Sequence, residues 1–533
     1  MTYWRKDMKK LLVVLLACLL AVTTIGCAAK TEDPAAPATD GATGEPKSVT
    51  IATDTDLISM DTSLATDGTS FIALTLCMAG LAELDEKGTP IPDLATWTVS
   101  DDGLNYEFKI REDAKWSDGT PVTAHDFVYS WDRLTNPDTA ADYAFLIETC
   151  YITNYEAADD TTFKVTMSQP CDFFLALCAF PSLFPLNQAY VESKGDQYGL
   201  SVDNMIYCGP YVMTEWNQND HYTFKKNADY HNAENCSMDE INFRYIQGQS
   251  AVLEYESGNI DYVKLTSELI DTYANDEGFN KKLAGYLWYL SLYFGNEDIA
   301  NENVRAAIFY SVDRETIADK VLKDGSIAAE GIIPCNFAFH NGVDYRETQG
   351  KQVDFNVDTA KEYYAKAVEE LGHDVTLELL YEDSDVSKNV AAYLQKCMQD
   401  AGFTVEMKCE PKKTRLQDMQ NGQYTVALHR WGPDYADPQT YIDLFTTNAS
   451  NNYGKWTNAD YDATVQEAEF GASAADSDAR WNLMLEAEKI LLGDYAVVPV
   501  YQNGETNLIN PKLTGIQDHA GGVDNYRHMT LAD

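Results

Sequence analysis

Residues 95–131 read ATWTVSDDGLNYEFKIREDAKWSDGTPVTAHDFVYSW, and this stretch holds the clearest local signals of the chain. Apolar and charged side chains alternate over residues 106–111, which predicts a strand with one face in water. Thr123, with Asp126 three residues later, predicts a capping box at the start of a helix. The apolar side chains that follow recur at helical spacing. The stretch therefore predicts a strand, a loop and an amphipathic helix.

The second half of the chain alternates helices and strands more regularly. Residues 304–310 predict a helix, and Asp313 is the expected cap of the next one. Strands are predicted at residues 375–379 and 404–408, on either side of a helix that ends at Gly402. The predicted fold class is therefore mixed α/β. Hairpin-like patterns between residues 106 and 168 predict a second, more antiparallel region.

The chain is strongly acidic. Among its 533 residues, 84 are Asp or Glu and 39 are Lys or Arg, which gives a formal net charge of −45. Such a surface repels nucleic acid and anionic lipid, so neither is expected as a partner. The charge itself does not identify a ligand, because a high net charge also serves solubility.

The N-terminus predicts export and lipid attachment. Basic residues precede an uncharged apolar run over residues 11–22, which is shorter than the ~20 residues of a membrane span. The run leads to TIGC at residues 24–27. We interpret residues 1–26 as a signal peptide and Cys27 as the lipidation site. The alternatives are a plain secretory signal or a cytosolic apolar helix that contains a cysteine by chance. Residues 27–47 are predicted to form a flexible tether.

The cysteines predict no cross-linked framework. Eleven are present, and nine remain beyond Cys18 and Cys27. An odd number without a CxxC pair indicates neither a zinc ribbon nor a dense set of disulfides. We expect buried free thiols that act as small apolar side chains.

The sequence offers no positive sign of catalysis. It contains no HExxH, GxSxG, Walker or dinucleotide-binding motif, and its eight histidines are dispersed. The Asp54, Asp56 and Asp61 stretch lacks the glycine and the closing glutamate of a calcium loop, which favours a solvated loop. We therefore expect no enzyme activity, no catalytic residue, no metal site and no cofactor. An anchored hydrolase is the alternative from another class.

Residues 424–438, YTVALHRWGPDYADP, are the strongest candidate for a binding segment. A strand-like run meets Trp431, then a Gly-Pro turn that leads to Asp434 and Tyr435. A carboxylate between two aromatic side chains would suit an ammonium group, since the rings add cation–π attraction. The alternative is that Asp434 only forms a turn beside proline.

Several ordered segments together carry a family resemblance. Residues 95–131 are followed by GPY at 209–211, NADY at 227–230, VRAAI at 304–308, VDR at 312–314, DY at 434–435 and VPVY at 498–501. In this order they resemble the extracellular solute-binding proteins of ABC importers, in the peptide- and nickel-binding group. The resemblance covers nearly all of residues 48–533.

The resemblance implies a two-lobed periplasmic-binding-protein-like fold with an additional inserted domain. The lobes would close on a ligand by a hinge motion. The implied boundaries are residues 48–78, 196–287 and 501–533 for the first lobe, 79–195 for the inserted domain and 288–500 for the second lobe.

It also implies the binding residues. Asp434, flanked by Trp431 and Tyr435, would pair with the α-amino group of a peptide. Tyr143 would contact the peptide, and the segment from Thr66 to Thr69, with Gly68, would be a strand that pairs with the peptide backbone. The positions that hold the peptide C-terminus in oligopeptide receptors correspond here to Phe309, Ser387, Met419 and Leu428. No side chain that would bind the C-terminal carboxylate of a peptide is therefore predicted.

The implied function is peptide capture. The protein would be a monomer, lipid-anchored on the extracellular face of the bacterial cytoplasmic membrane, that delivers peptides to an ABC permease. Within the same family, the alternatives are receptors for a nickel chelate, haem or an oligosaccharide, or a sensor of a peptide signal. Asp434 favours a ligand with an amine over a sugar.

Overall fold

The computed structural model describes residues 46–433 and 435–532. The predicted signal peptide, Cys27, most of the tether and Asp434 lie outside these residues. None of the described helices is both long and apolar enough to cross a lipid bilayer.

The described residues alternate strands and helices along the whole chain. The strands are β1 (Ser48–Thr53), β2 (Ala82–Leu84), β3 (Pro90–Pro92), β4 (Ala95–Val99), β5 (Asn105–Ile110), β6 (Ile152–Asp159), β7 (Thr162–Met167), β8 (Tyr211–Asn217), β9 (His221–Lys226), β10 (Glu240–Tyr245), β11 (Tyr262–Lys264), β12 (Phe279–Leu292), β13 (Ile327–Ala328), β14 (Phe339–His340), β15 (Val343–Asp344), β16 (Thr376–Glu382), β17 (Thr404–Glu410), β18 (Val426–Trp431), β19 (Val497–Ile509), β20 (Leu513–Thr514) and β21 (Thr530–Leu531). The α-helices are α1 (Gly68–Cys77), α2 (Ala124–Thr135), α3 (Phe145–Thr149), α4 (Phe174–Leu177), α5 (Gln188–Lys194), α6 (Gly248–Glu256), α7 (Ser267–Tyr273), α8 (Glu297–Ala300), α9 (Glu302–Ser311), α10 (Arg314–Thr316), α11 (Tyr345–Gln349), α12 (Val357–Leu371), α13 (Asp385–Ala401), α14 (Lys412–Gln420), α15 (Gln439–Ile442), α16 (Ala459–Phe470) and α17 (Ser477–Gly493).

One large mixed sheet runs through most of the molecule. Its strand order is β17-β16-β18-β12-β19-β11-β1-β10-β9-β8, and β13 adds to β19. β1 is parallel to β10 and β11, and β16 is parallel to β17 and β18, so each half of the sheet has a parallel centre. Parallel strands need crossover connections, which explains the helices between them.

The two halves of this sheet are joined by the long strands β12 and β19. These strands pair antiparallel from Phe279 opposite Leu508 to Ser291 opposite Val497. The register shifts between Leu283 and Leu287, where the paired strands become irregular. A second, four-stranded antiparallel sheet has the order β4-β5-β7-β6.

The buried side chains form two main cores. One contains side chains from Val49 to Tyr262, together with Leu513, Tyr526 and Met529 near the C-terminus. The other runs from Leu287 to Tyr501. The irregular part of β12 therefore lies where one core ends and the other begins. The residue boundaries of the predicted domains remain a prediction.

Most local predictions from the sequence are confirmed. The capping box of α2 forms, with the Thr123 backbone N–H donating to Asp126 at 2.7 Å. The predicted helix at residues 304–310 lies in α9, and the helix that ends at Gly402 is α13. The nine cysteines of the described residues are free, and most are buried.

Two expectations near the N-terminal end of the sheet are wrong. Thr66 and Gly68 do not form a strand, because Asp67 caps α1 and the helix begins at Gly68. The expected solvated loop holds a buried carboxylate, since Asp61 is 3 % exposed and forms a bidentate pair with Arg133 at 2.6 and 2.7 Å. Both differences from the prediction arise because a carboxylate finds hydrogen-bond donors within the fold.

The C-terminal segment is held to the first core by Arg527, which is 4 % exposed. Its guanidinium donates to the Asp93 carboxylate at 2.8 Å and to the carbonyls of Thr75 and Met78 at 2.6 Å each. Buried charges of this kind are stable only when they are paired.

We expect Arg527→Met to lower the free energy of unfolding by about 3–5 kcal/mol, because it leaves the Asp93 charge buried with its cation removed. Chemical denaturation measures the change. Lys512→Met, at an exposed position, is the matched control and should change stability little. Equal effects of the two substitutions would contradict the structural role of Arg527.

Candidate functional site

A cavity of about 400 Å³ lies beside the C-terminal end of β1. Its wall includes the loop after β1, the start of α1, the joining strands β12 and β19, and the C-terminal segment. This is the place where the parallel strand β1 ends, a position at which sheets of this type usually bind ligands.

The start of α1 forms one side of the opening. The Asp67 carboxylate accepts hydrogen bonds from the backbone N–H and the hydroxyl of Ser70, at 2.9 and 2.7 Å. Gly68 follows directly, and a Cβ atom built there would meet no described atom within 4 Å. Thr66 is exposed just before this cap. Both predicted peptide-contacting residues therefore lie near the cavity, although only Gly68 lines it.

Aromatic rings form an inner wall of the cavity. The rings of Tyr222 and Phe243 are stacked with centroids 4.7 Å apart. Tyr526 meets Phe243 and Tyr262 edge-on, at 6.1 and 6.4 Å. Burial raises the pKa of Tyr222 well above its ordinary value, so its hydroxyl is neutral at physiological pH. These rings give the cavity a rigid apolar wall.

A network of charges lies where the C-terminal segment meets the joining strands. The Lys282 ammonium lies 2.6 Å from Asp524, 3.2 Å from Asp518 and 3.8 Å from Glu505. Burial opposes its charge, but these carboxylates outweigh burial and raise the pKa of Lys282. Burial also opposes ionisation of Glu505, but Lys264 at 2.9 Å and Lys282 lower its pKa. Lys282 and Glu505 are therefore both charged at neutral pH.

The predicted binding segment, residues 424–438, includes β18, which pairs with the joining strand β12. Trp431 ends β18 and lies opposite Leu287, at the irregular part of β12. Its indole N–H donates to the Thr440 hydroxyl at 3.3 Å. Tyr435 is 6 % exposed and stacks on Phe173, with centroids 3.9 Å apart and rings 11° from parallel. Tyr435 thus holds the turn against the first core.

Tyr143 lies in the short turn Asp142–Ala144. Its ring packs edge-on against Phe71 of α1, with centroids 5.5 Å apart, and also contacts Phe180 at 5.2 Å. The structure therefore connects Tyr143 to the helix that begins at Gly68. Tyr435 belongs to the same core as Tyr143, whereas Trp431 packs against the second core.

Polar contacts missed by sequence reasoning fix the turn after Tyr435. The Arg480 guanidinium donates to Asp437 at 2.7 and 2.9 Å and to Gln439 at 2.8 Å. It also lies 3.7 Å from Asp172, near Phe173. The Gln439 amide donates to the hydroxyl of Tyr151 at 3.2 Å. No local sequence signal predicts these contacts, since Arg480 and Asp437 are 43 residues apart.

Comparison with known proteins identifies the family. Residues 89–453 match the model of the bacterial extracellular solute-binding proteins, family 5. The chain belongs to this family. A dipeptide-binding protein of Lactococcus lactis is 31% identical over 516 residues, which cover 90% of this chain and 94% of that protein. The two-lobed α/β fold expected from the sequence is confirmed, and members of the family are extracellular or periplasmic solute-binding proteins.

Two solved structures show which conformation the structure resembles. The peptide-bound oligopeptide-binding protein OppA of Listeria monocytogenes is 31% identical and superposes with a TM-score of 0.70, covering 92% of this chain and all of that one. The unliganded open form of the murein tripeptide binding protein MppA is only 25% identical, yet its TM-score is 0.80, with 92% and 98% covered. The structure therefore superposes better on the open form than on the peptide-bound structure, although the open form has the less similar sequence.

The four positions that correspond to the peptide C-terminus site of oligopeptide receptors are all buried. Phe309, Ser387, Met419 and Leu428 belong to the interior of the second lobe. A cation nevertheless lies beside two of them, because Arg415 is 3.3 Å from the Met419 sulfur and 3.5 Å from the Leu428 carbonyl. Arg415 also donates to His429 at 2.9 Å and lies 3.4 Å from Glu382. Burial, with Arg415 and Arg430, lowers the pKa of His429 to about 3, so its imidazole is neutral.

Two buried carboxyl groups neighbour the Arg480 cluster. Burial raises the pKa of Asp443 well above its ordinary value, and the adjacent Glu469 adds to this rise. Burial also raises the pKa of Glu469. Each has a buried oxygen without a hydrogen-bond partner among the described residues. A proton shared by the pair would satisfy these oxygens.

This pair predicts a pH dependence of stability. A carboxyl whose pKa is raised by folding contributes stability below its ordinary pKa, and that contribution is lost as pH rises through the raised value. Each pH unit in this window changes the free energy of unfolding by about 1.4 kcal/mol per group. Glu469→Gln should therefore lose less stability than the wild type between pH 5 and pH 8.

Thermal unfolding across this pH range measures the difference. Glu486→Gln, on the exposed face of α17, is the control and should follow the wild-type profile. Parallel profiles for Glu469→Gln and the wild type would show that the pair holds no extra proton.

Proposed function

We propose that this protein is the receptor of a peptide importer. It captures peptides between its lobes and delivers them to an ABC permease. The observation that carries the proposal is the match over 92% of the chain to an oligopeptide-binding protein solved with its peptide. The relative from Lactococcus lactis, named a dipeptide-binding protein, supports the same class of ligand.

The site of capture that we propose lies at the joining strands β12 and β19. The segment with Thr66 and Gly68, next to Tyr143, would contact the peptide from the first lobe. Trp431 and the turn with Asp434 would contact it from the second. Family members bind solutes outside the cytoplasm, and lipid attachment at Cys27 would keep the monomeric receptor beside its permease.

In this proposal Asp434 pairs with the free α-amino group of the peptide. Support comes from two residues that follow it, since Tyr435 is stacked on Phe173 and Asp437 is held by Arg480. Fixed neighbours reduce the entropy that a binding segment loses when a ligand binds. Burial of a peptide ammonium requires such a partner.

Asp434→Ala should weaken the binding of free-amine peptides by about 2–5 kcal/mol, because the ammonium loses its buried partner. Calorimetry with tetraalanine and N-acetyl-tetraalanine tests this, and the wild type should bind the acetylated peptide far more weakly. Asp374→Ala, at an exposed position of the second lobe, is the control. Equal affinity of the wild type for both peptides would rule out the role of Asp434.

Binding should also make the protein more compact. The structure matches an open form, and a ligand that contacts both lobes shifts the population toward closure. Small-angle scattering should therefore show a smaller radius of gyration at saturating peptide. Asp434→Ala at the same peptide concentration is the control and should stay closer to the open value. An unchanged radius at proven saturation of the wild type would contradict hinge closure.

A further inference from the structure

We propose that the 400 Å³ cavity beside Gly68 is a subsite for a cationic side chain of the bound peptide, lysine or arginine. This inference rests on the proposed function and names the residue class that the receptor favours. The cavity borders both the start of α1 and the joining strands. A side chain of a peptide lying along Gly68 would therefore point directly into it.

The charges of the lining favour a cation. Two lysines line the cavity, and both are already paired, Lys282 with Asp524 and Lys264 with Glu505. Three further carboxylates line it, from Asp54, Asp56 and Asp67. None of the ion pairs within residues 46–433 and 435–532 involves these three. The cavity thus has negative charge without a counter-ion.

An independent observation comes from the hydroxyl of Tyr222. This side chain is 2 % exposed, lines the cavity and has no hydrogen-bond partner for its hydroxyl among the described residues. An unsatisfied buried polar group is costly, so it indicates a missing partner. The carboxylates of Asp56 and Asp67 lie close enough to Tyr222 to influence its pKa. A cationic N–H near them would donate to the neutral hydroxyl oxygen.

The aromatic wall suits the rest of such a side chain. Lysine and arginine have aliphatic stems that pack on apolar surface while the charged end stays among polar groups. The rings of Tyr222, Phe243 and Tyr526 provide this surface and add attraction for the cation. An acidic side chain would meet unpaired carboxylates instead, and an apolar one would leave the Tyr222 hydroxyl unsatisfied.

The test uses the full extracellular protein and three sets of tetrapeptides. Each set places lysine, norleucine or glutamate at one of the four positions of tetraalanine in turn. Norleucine has the apolar stem of lysine without the charge. Calorimetry should show, at one position, at least tenfold tighter binding of the lysine peptide than of the norleucine peptide. The glutamate peptide should bind most weakly at that position.

Two variants tie this preference to the cavity. Asp54→Asn removes one unpaired charge, and Tyr222→Phe removes only the hydroxyl. Each should reduce the ratio of lysine to norleucine affinity at least threefold. Asp229→Asn, at an exposed carboxylate outside the cavity, is the matched control and should keep the wild-type ratio. Thermal unfolding checks that each variant is folded.

The outcomes separate the two proposals. Equal affinities of the lysine, norleucine and glutamate peptides at every position would overturn the subsite proposal and leave the proposed peptide receptor intact. A lysine preference that both variants retain would also overturn the subsite. Failure of all twelve peptides to bind would overturn the receptor and the subsite together.

Discussion

The pairing of β12 with β19 is the constraint on which the architecture depends. These strands contribute backbone hydrogen bonds to both halves of one sheet, so neither lobe is complete without them. Their regular ladder is interrupted between Leu283 and Leu287 and again between Trp288 and Tyr289. In the proposed closure, these irregular residues would form the hinge, while the strands on either side stay within their own cores. The cavity and the end of β18 both adjoin these strands.

Buried cations hold the segments around this centre. Lys282, Arg480 and Arg527 each lie among two or more carboxylates, and each connects parts of the chain that are distant in sequence. The chain has 84 acidic and 39 basic residues, so its carboxylates outnumber the cations that could pair with them. Lys282 lines the cavity beside Gly68, but Asp54, Asp56 and Asp67 of the same lining form no ion pair among the described residues. In the subsite proposed above, these carboxylates and the aromatic wall would together favour a cationic ligand.

Prediction from the sequence succeeded where the physical cause is local. The capping box of Thr123 and Asp126 and the alternation in β5 involve residues within a few positions of each other. Thr66 and Gly68 were misjudged because the family resemblance outweighed a local signal, the cap formed by Asp67 and Ser70. The burial of Asp61 was missed because its cause is not local. Its partner Arg133 lies 72 residues away, and no local pattern links them.

The sequence by itself determined the family, the α/β class and most of the regular elements, because periodicity, caps and ordered motifs act over short distances. Only the tertiary structure decided which carboxylates are neutralised and which remain unpaired at the cavity. Lys282 and Asp524 are 242 residues apart, and Tyr435 stacks on Phe173 from a distant part of the chain. Such contacts depend on how the lobes and the C-terminal segment pack. The charge of a binding site is therefore a property of the folded chain, not of its composition.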